Sequence, residues 1–104
     1  MIVVTTDSIP GRQVVATLGF VRGNTVRAAH AGEDAAAWLK NMVGGEIEEY
    51  TKLLAESREQ ALDRMIAEAR ARGADAVVGL RFESCEIASG CAELLAYGTA
   101  VKLA

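Results

Sequence analysis

The C-terminal third of the chain constrains the fold more than any other part. Residues 76–87 (AVVGLRFESCEI) and 91–103 (CAELLAYGTAVKL) are two long runs of β-branched, aromatic and aliphatic side chains. Ala88, Ser89 and Gly90 lie between them and suit a hairpin loop with glycine at its left-handed position. Side chains alternate between faces along a strand, so symmetric closure sets Val78, Leu80 and Phe82 on one face with Leu94, Ala96, Gly98 and Ala100. The opposite face then carries Val77, Gly79, Ile87, Leu95, Tyr97, Val101 and Leu103. Both faces are apolar, whereas an antiparallel sheet in a lone subunit normally turns a polar face to water.

The remaining elements must cover those faces. Residues 2–6 (IVVTT) and 14–22 (VVATLGFVR) read as strands separated by the turn cluster Asp7 to Gly11. Gly19 predicts a bulge or a close backbone approach, and Gly23-Asn24 predicts a turn into a third short strand over 25–29. Glu33 and Asp34 ahead of Ala35 to Lys40 predict a short helix that stops at Gly44-Gly45. From Glu46 to Arg72 the apolar residues Ile47, Tyr50, Leu54, Ala61, Met65 and Ala69 recur at helical spacing, widened by Leu53, Leu62 and Ile66. Glu48 with Lys52 and Arg64 with Glu68 form i, i+4 pairs on the outer face, and Gly73 caps the helix.

The fold class is therefore α+β: one domain over 1–104, an antiparallel sheet with one short and one long helix packed on a single face. The second apolar face calls for another copy of the chain, or else the short helix and the N-terminal loop cover it within one subunit.

Charge and composition exclude several partners. A net charge of -3 over 104 residues argues against a phosphate-binding surface for nucleic acid, and no apolar stretch approaches the ~20 residues of a membrane span. The opening MIVVTTDSIPGR lacks the basic and apolar regions of a secretory signal, so a soluble, cytoplasmic protein with Cys85 and Cys91 as reduced thiols is expected.

Three constellations bear chemistry. Cys85 and Cys91 fall on one face of the hairpin near its loop, on diagonal positions ~7 Å apart, within reach of one soft or transition metal ion. His30, the one histidine, or Glu83 or Glu93 would have to complete such a site, His30 across a subunit boundary. Alternatively the cysteines are two plain thiols. Glu46, Tyr50, Leu54 and Arg58 follow at four-residue steps along the long helix, and Arg81 stands opposite Tyr97 in the hairpin, a geometry suited to cation–π packing. Glu46, Tyr50, Arg58, Arg81 and Tyr97 can serve as interface contacts or as an anion-binding set. Gly44-Gly45 lacks the motif of a phosphate loop and reads as a hinge. No nucleophile, base and orienting group are placed together by the sequence, which favours a non-enzymatic reading; the alternative is a small-ligand binder or an enzyme using those polar groups at subunit interfaces.

In order along the chain, Val43-Gly44-Gly45-Glu46, Tyr50, Leu53 to Ala61, Gly73 to Phe82 and Ala96 to Val101 resemble the YbjQ-like family. The resemblance implies a dodecin-like subunit in a ring of five, a label of "putative heavy-metal-binding" domain, and no established biochemical role. The chain departs from the pattern at Asp75, where many relatives carry Asn, and Cys85 and Cys91 match no family ligand motif.

Overall fold

The computed structural model describes residues 1–28, 48–88 and 91–104. The short helix expected before Gly44 lies outside the described residues, as do the loop residues Ser89 and Gly90. Strands β1 (Ile2–Val3), β2 (Val14–Ala28), β3 (Ala76–Ala88) and β4 (Cys91–Leu103) form one sheet, and helix α1 (Glu48–Ala71) packs across it.

The strand order is β1-β3-β4-β2. β3 and β4 make the expected antiparallel hairpin, with Arg81 opposite Tyr97. β2 runs antiparallel to β4 along its whole length, from Val14 opposite Leu103 to Ala28 opposite Cys91. The sheet is nevertheless mixed and not wholly antiparallel, because β1 pairs with β3 in parallel. The cause lies in the turn cluster: Ile9 bridges Arg12 and Gly11 takes φ +78°, which sends the chain to the far edge of the sheet and does not fold β2 back on β1.

β2 is also longer than its sequence suggests. Gly23-Asn24 makes no turn, and the strand continues through both residues to Ala28. Gly23 is there for a different reason. A Cβ at this position would collide with the carbonyl oxygen of Ala61 and the amide nitrogen of Met65, and would come within 2.7 Å of Arg64 Cβ. The backbone of α1 thus rests directly on β2. The helix meets that demand with small or flexible side chains four residues apart: Ser57, Ala61, Met65 and Ala69 are all essentially buried. Gly19 does make the expected bulge, at φ +103° with a register shift beside it.

Parity along β3 changes at Gly79, whose φ of +65° accompanies a register shift between Val78 and Arg81. Val77 and Leu80 therefore both join the core under α1, with Val21, Ala96 and Ala100. Val78 turns to the other face, contrary to simple alternation, and clusters with Ala76, Val101 and Leu103 beneath Ile2, Val4 and Ile9. The N-terminal segment accordingly covers one end of the second apolar face from within the chain. Phe82, expected in the core, is 41% exposed, on a part of β3 that α1 does not cover.

Beyond the helix, Gly73 at φ +77° donates its N–H to Arg70 O while Ala74 donates to Ala69 O, a Schellman closure. On the outer side of α1, Glu68 pairs with Arg72 at 3.1 Å, whereas Arg64 reaches across to Asn24 O, so the Arg64–Glu68 pair expected from sequence does not form. Asp75 follows the cap and accepts hydrogen bonds from the Leu103 N–H at 2.9 Å and from Lys102 Nζ at 3.5 Å. The Leu103 N–H, aided by the Lys102 charge and partly opposed by desolvation, holds the Asp75 carboxyl below its ordinary value of 3.8.

Two outcomes follow from this packing. Gly23→Ala should cost about 1–3 kcal/mol in urea unfolding, because backbone and not a mobile side chain must move. Asp75 is charged more readily folded than unfolded, so its contribution is present in full above pH 3.8 and disappears as the pH falls through its lower folded value. Asp75→Asn should therefore be less stable than the parent near neutrality, and the gap between their unfolding midpoints should close as the solution is acidified below 3.8.

Candidate functional site

The thiols sit at the loop end of the hairpin, where the sheet runs past the helix. Cys85 stands opposite Glu93. Cys91 stands between Ala88 on β3 and Ala28 on β2. Cys91 and Glu93 are two residues apart on β4 and share a face by alternation, with Cys85 opposite Glu93; Cys85 also borders a cavity on the helix side. Both cysteines are free thiols, Cys85 exposed and Cys91 half-buried, and Cys85 Sγ contacts the backbone oxygen of Glu86 at 3.7 Å. Among the described residues, no three His, Cys, Asp or Glu side chains stand close enough to hold one metal ion together. His30 lies outside the described residues, and Glu83 is instead within 3.5 Å of the Tyr97 hydroxyl, which donates to it.

The helix side of the same end holds a cavity of about 270 Å³ lined by Leu54, Arg58, Ser84, Cys85, Glu86 and Leu94, among others. Arg58 projects into it from α1. Sequence reasoning passed over Ser84 and Glu86, although the hairpin register, Ser84 opposite Leu94, already sets Ser84 on the helix side.

Arg81 and Tyr97 are cross-strand partners as expected, yet they do not stack. The Arg81 guanidinium donates to Thr5 O at 2.9 Å and to Leu80 O at 2.8 Å. It ties the N-terminal segment to the sheet just where Gly79 N–H donates to Thr6 O and Leu80 N–H donates to Val4 O. Tyr97 packs instead on Phe20, with ring centroids 6.0 Å apart, and Arg22 lies 5.9 Å over the Phe20 ring. Phe20 and Arg22 are members of this outer-face group that the hairpin alone did not reveal; the pairing of Arg22 with Tyr97 places them there.

The five polar candidates from sequence are not gathered within one chain. Arg58 is on the helix side and Arg81 and Tyr97 are on the other. Glu46, with Gly44-Gly45, lies outside the described residues, and the side chain of Tyr50 is likewise outside them. No described helix is long and apolar enough to cross a membrane.

Comparison with known proteins agrees with this architecture. A family model described as "Putative heavy-metal-binding" matches residues 1–104. A UPF0145 protein of Archaeoglobus fulgidus is 58% identical over 103 residues, covering 99% of this chain and 95% of the relative. A UPF0145 protein of Fervidobacterium nodosum is 59% identical with the same coverage. Among solved structures, a protein of unknown function in the DUF74 family from Pediococcus pentosaceus superposes with a TM-score of 0.67 at 15% identity, over 100% of this chain and 98% of that one. That likeness is one of fold.

The arginine bridge yields a direct test. Arg81→Ala should raise hydrogen exchange at the amides of Val4, Gly79 and Leu80, which link the N-terminal segment to β3, while exchange in α1 stays unchanged.

Proposed function

The chain belongs to the YbjQ family, and from that premise we propose that it is a non-enzymatic homo-oligomer that binds heavy-metal ions through its hairpin thiols. The observation that carries the assembly is the end of the outer sheet face that no other described element covers. Phe20 is 51% exposed and Val26 53% exposed on β2, next to half-buried Leu95 and Tyr97 on β4. The N-terminal segment covers only the other end, around Val78 and Val101. Aromatic and aliphatic groups grouped in this way favour burial against a second copy.

Shape supports the same reading. The radius of gyration is 16.9 Å, against roughly 13 Å for a compact domain of this length. An elongated subunit buries too little of its own surface, and packing between copies offsets that deficit. The ring of five that the resemblance implies is the expected size, and a cytoplasmic location, where the thiols stay reduced, belongs to the same proposal. The family description and the two thiols at one end of the hairpin support metal binding. The separation of Arg58 from Arg81 and Tyr97 on opposite faces favours a binding role over a reaction that would use them together.

Native mass spectrometry should give an oligomer, with five copies the expected mass. Phe20→Glu should shift it to smaller species while leaving the far-ultraviolet circular dichroism of the subunit in place. A parent protein that is monomeric at micromolar concentration overturns the assembly, and an unchanged oligomer in Phe20→Glu overturns the assigned face.

A further inference from the structure

The cavity on the helix side of the hairpin end divides its chemistry between its two strands. Two cross-strand pairs make its floor, Ser84 opposite Leu94 and Glu86 opposite Ala92. The β3 half of that floor is therefore polar and the β4 half apolar. Residues two apart on a strand are roughly 7 Å apart and paired strands roughly 5 Å apart, so a hydroxyl, a carboxylate and hydrocarbon occupy separate corners of one small patch. Leu54 and Arg58 close the patch from α1, one helical turn apart on the same side of the helix. Short side chains at Ser84 and Ala92 help to leave about 270 Å³ between sheet and helix.

Size and charge narrow the occupant. Pockets for drug-sized ligands run from roughly 300 to 1,000 Å³, so a cavity of 270 Å³ takes a molecule of small-metabolite size. The planar fork of the Arg58 guanidinium suits a carboxylate. Glu86 brings the opposite charge, accepting from an ammonium and repelling an anion, and the Ser84 hydroxyl can donate to the one group or accept from the other. A plain anion therefore meets Arg58 but is opposed by Glu86, and a plain cation meets the reverse. A zwitterion satisfies both. Leu54, Ala92 and Leu94 offer an apolar wall to a hydrocarbon chain.

We infer that this cavity binds a free aliphatic α-amino acid of the leucine class, its carboxylate on Arg58, its ammonium on Glu86 and its side chain against Leu54 and Leu94. The charged groups of the site are not the thiols, and its floor is on the side of the sheet that faces α1, opposite the Phe20 patch. The inference thus goes beyond metal binding and assembly and rests on neither. Cys85 borders the cavity and reports on its occupancy.

The experiment titrates the whole chain, reduced and free of metal, with L-leucine by calorimetry. Three comparison compounds are glycine, which lacks the side chain, 4-methylpentanoate, which lacks the ammonium, and 3-methylbutylamine, which lacks the carboxylate. One leucine per chain is expected, with the two singly charged analogues at least about tenfold weaker, since each leaves one charged partner unmatched. Arg58→Gln and Glu86→Gln, both at exposed positions, should weaken leucine about ten- to hundredfold with circular dichroism unchanged. Arg70→Gln, the same loss of charge in the last turn of α1, should leave the affinity as it was. Saturating leucine should slow maleimide alkylation of Cys85 in a Cys91→Ser background. Absence of leucine binding at millimolar concentration overturns the inference. Equal affinity for either singly charged analogue overturns the zwitterion, and equal affinity for glycine overturns the aliphatic class; these comparisons use the parent chain and hold whether or not the variants fold. Undiminished binding in folded Arg58→Gln and Glu86→Gln, or unslowed alkylation of Cys85, overturns the site.

Discussion

One extra residue in β3 decides what each face of this sheet offers. Gly79, at φ +65°, takes up a register shift between Val78 and Arg81. Without it, strict alternation would send Val77 and Leu80 to opposite faces. With it, both lie under α1, and Val78 turns toward the N-terminal segment. The same kink frees the N–H groups of Gly79 and Leu80 to bond Thr6 and Val4, so the bulge also provides the attachment of β1. A side chain at a left-handed position is strained for any residue with a Cβ, which ties this architecture to glycine.

The helix side depends on closeness of a different kind. Gly23 lets the backbone of α1 lie on β2, and Ala61, Ala69, Ala96 and Ala100, all fully buried, keep the seam thin. A thin seam yields many backbone-level contacts but little apolar area per residue, since alanine and glycine bring little hydrocarbon to bury. Larger groups, Met65, Val21 and Val77, fill what is left. The helix is seated over β2 and β4, and the stretch of β3 from Arg81 to Glu86 is exposed throughout. Among the described residues, therefore, a long strand end has no second layer.

Much of this was legible in the amino-acid order. The spacing of Leu54, Ala61, Met65 and Ala69 marked the helix, Gly73 its end, Gly19 a bulge, and the hairpin gave Arg81 opposite Tyr97. Three features were not. Gly23 next to Asn24 carries a turn signal, and only the helix lying across it shows that the glycine serves approach and not reversal. The bulge at Gly79 is a single-residue shift that leaves the apolar pattern on either side intact, so parity could not be read through it. The parallel pairing of β1 joins residues more than seventy positions apart, a contact that no local pattern records. At the site, the register sets Cys85 opposite Glu93, two residues from Cys91 on β4, the pairing that alternation across the hairpin predicts. The grouping of Phe20 with Tyr97 was hidden, since it required the register of β2 against β4.

Location links the thiols to the architecture in one further step. The core clusters hold β3 at Ala76, Val77, Val78 and Leu80 and hold β4 at Ala96, Ala100, Val101 and Leu103. Neither cluster includes a residue from Arg81 to Glu86 or from Cys91 to Glu93. Opening at this end therefore exposes little apolar surface that was not exposed already, and its free energy lies well below that of global unfolding. Side chains on such a segment can shift without disturbing the layer that holds the subunit together. The outer-face patch of Phe20 and Tyr97 sits between the two regions, one strand away from the packed end and a few residues along from the thiols. Anything packed on that patch would stiffen the base of the hairpin while leaving its end free.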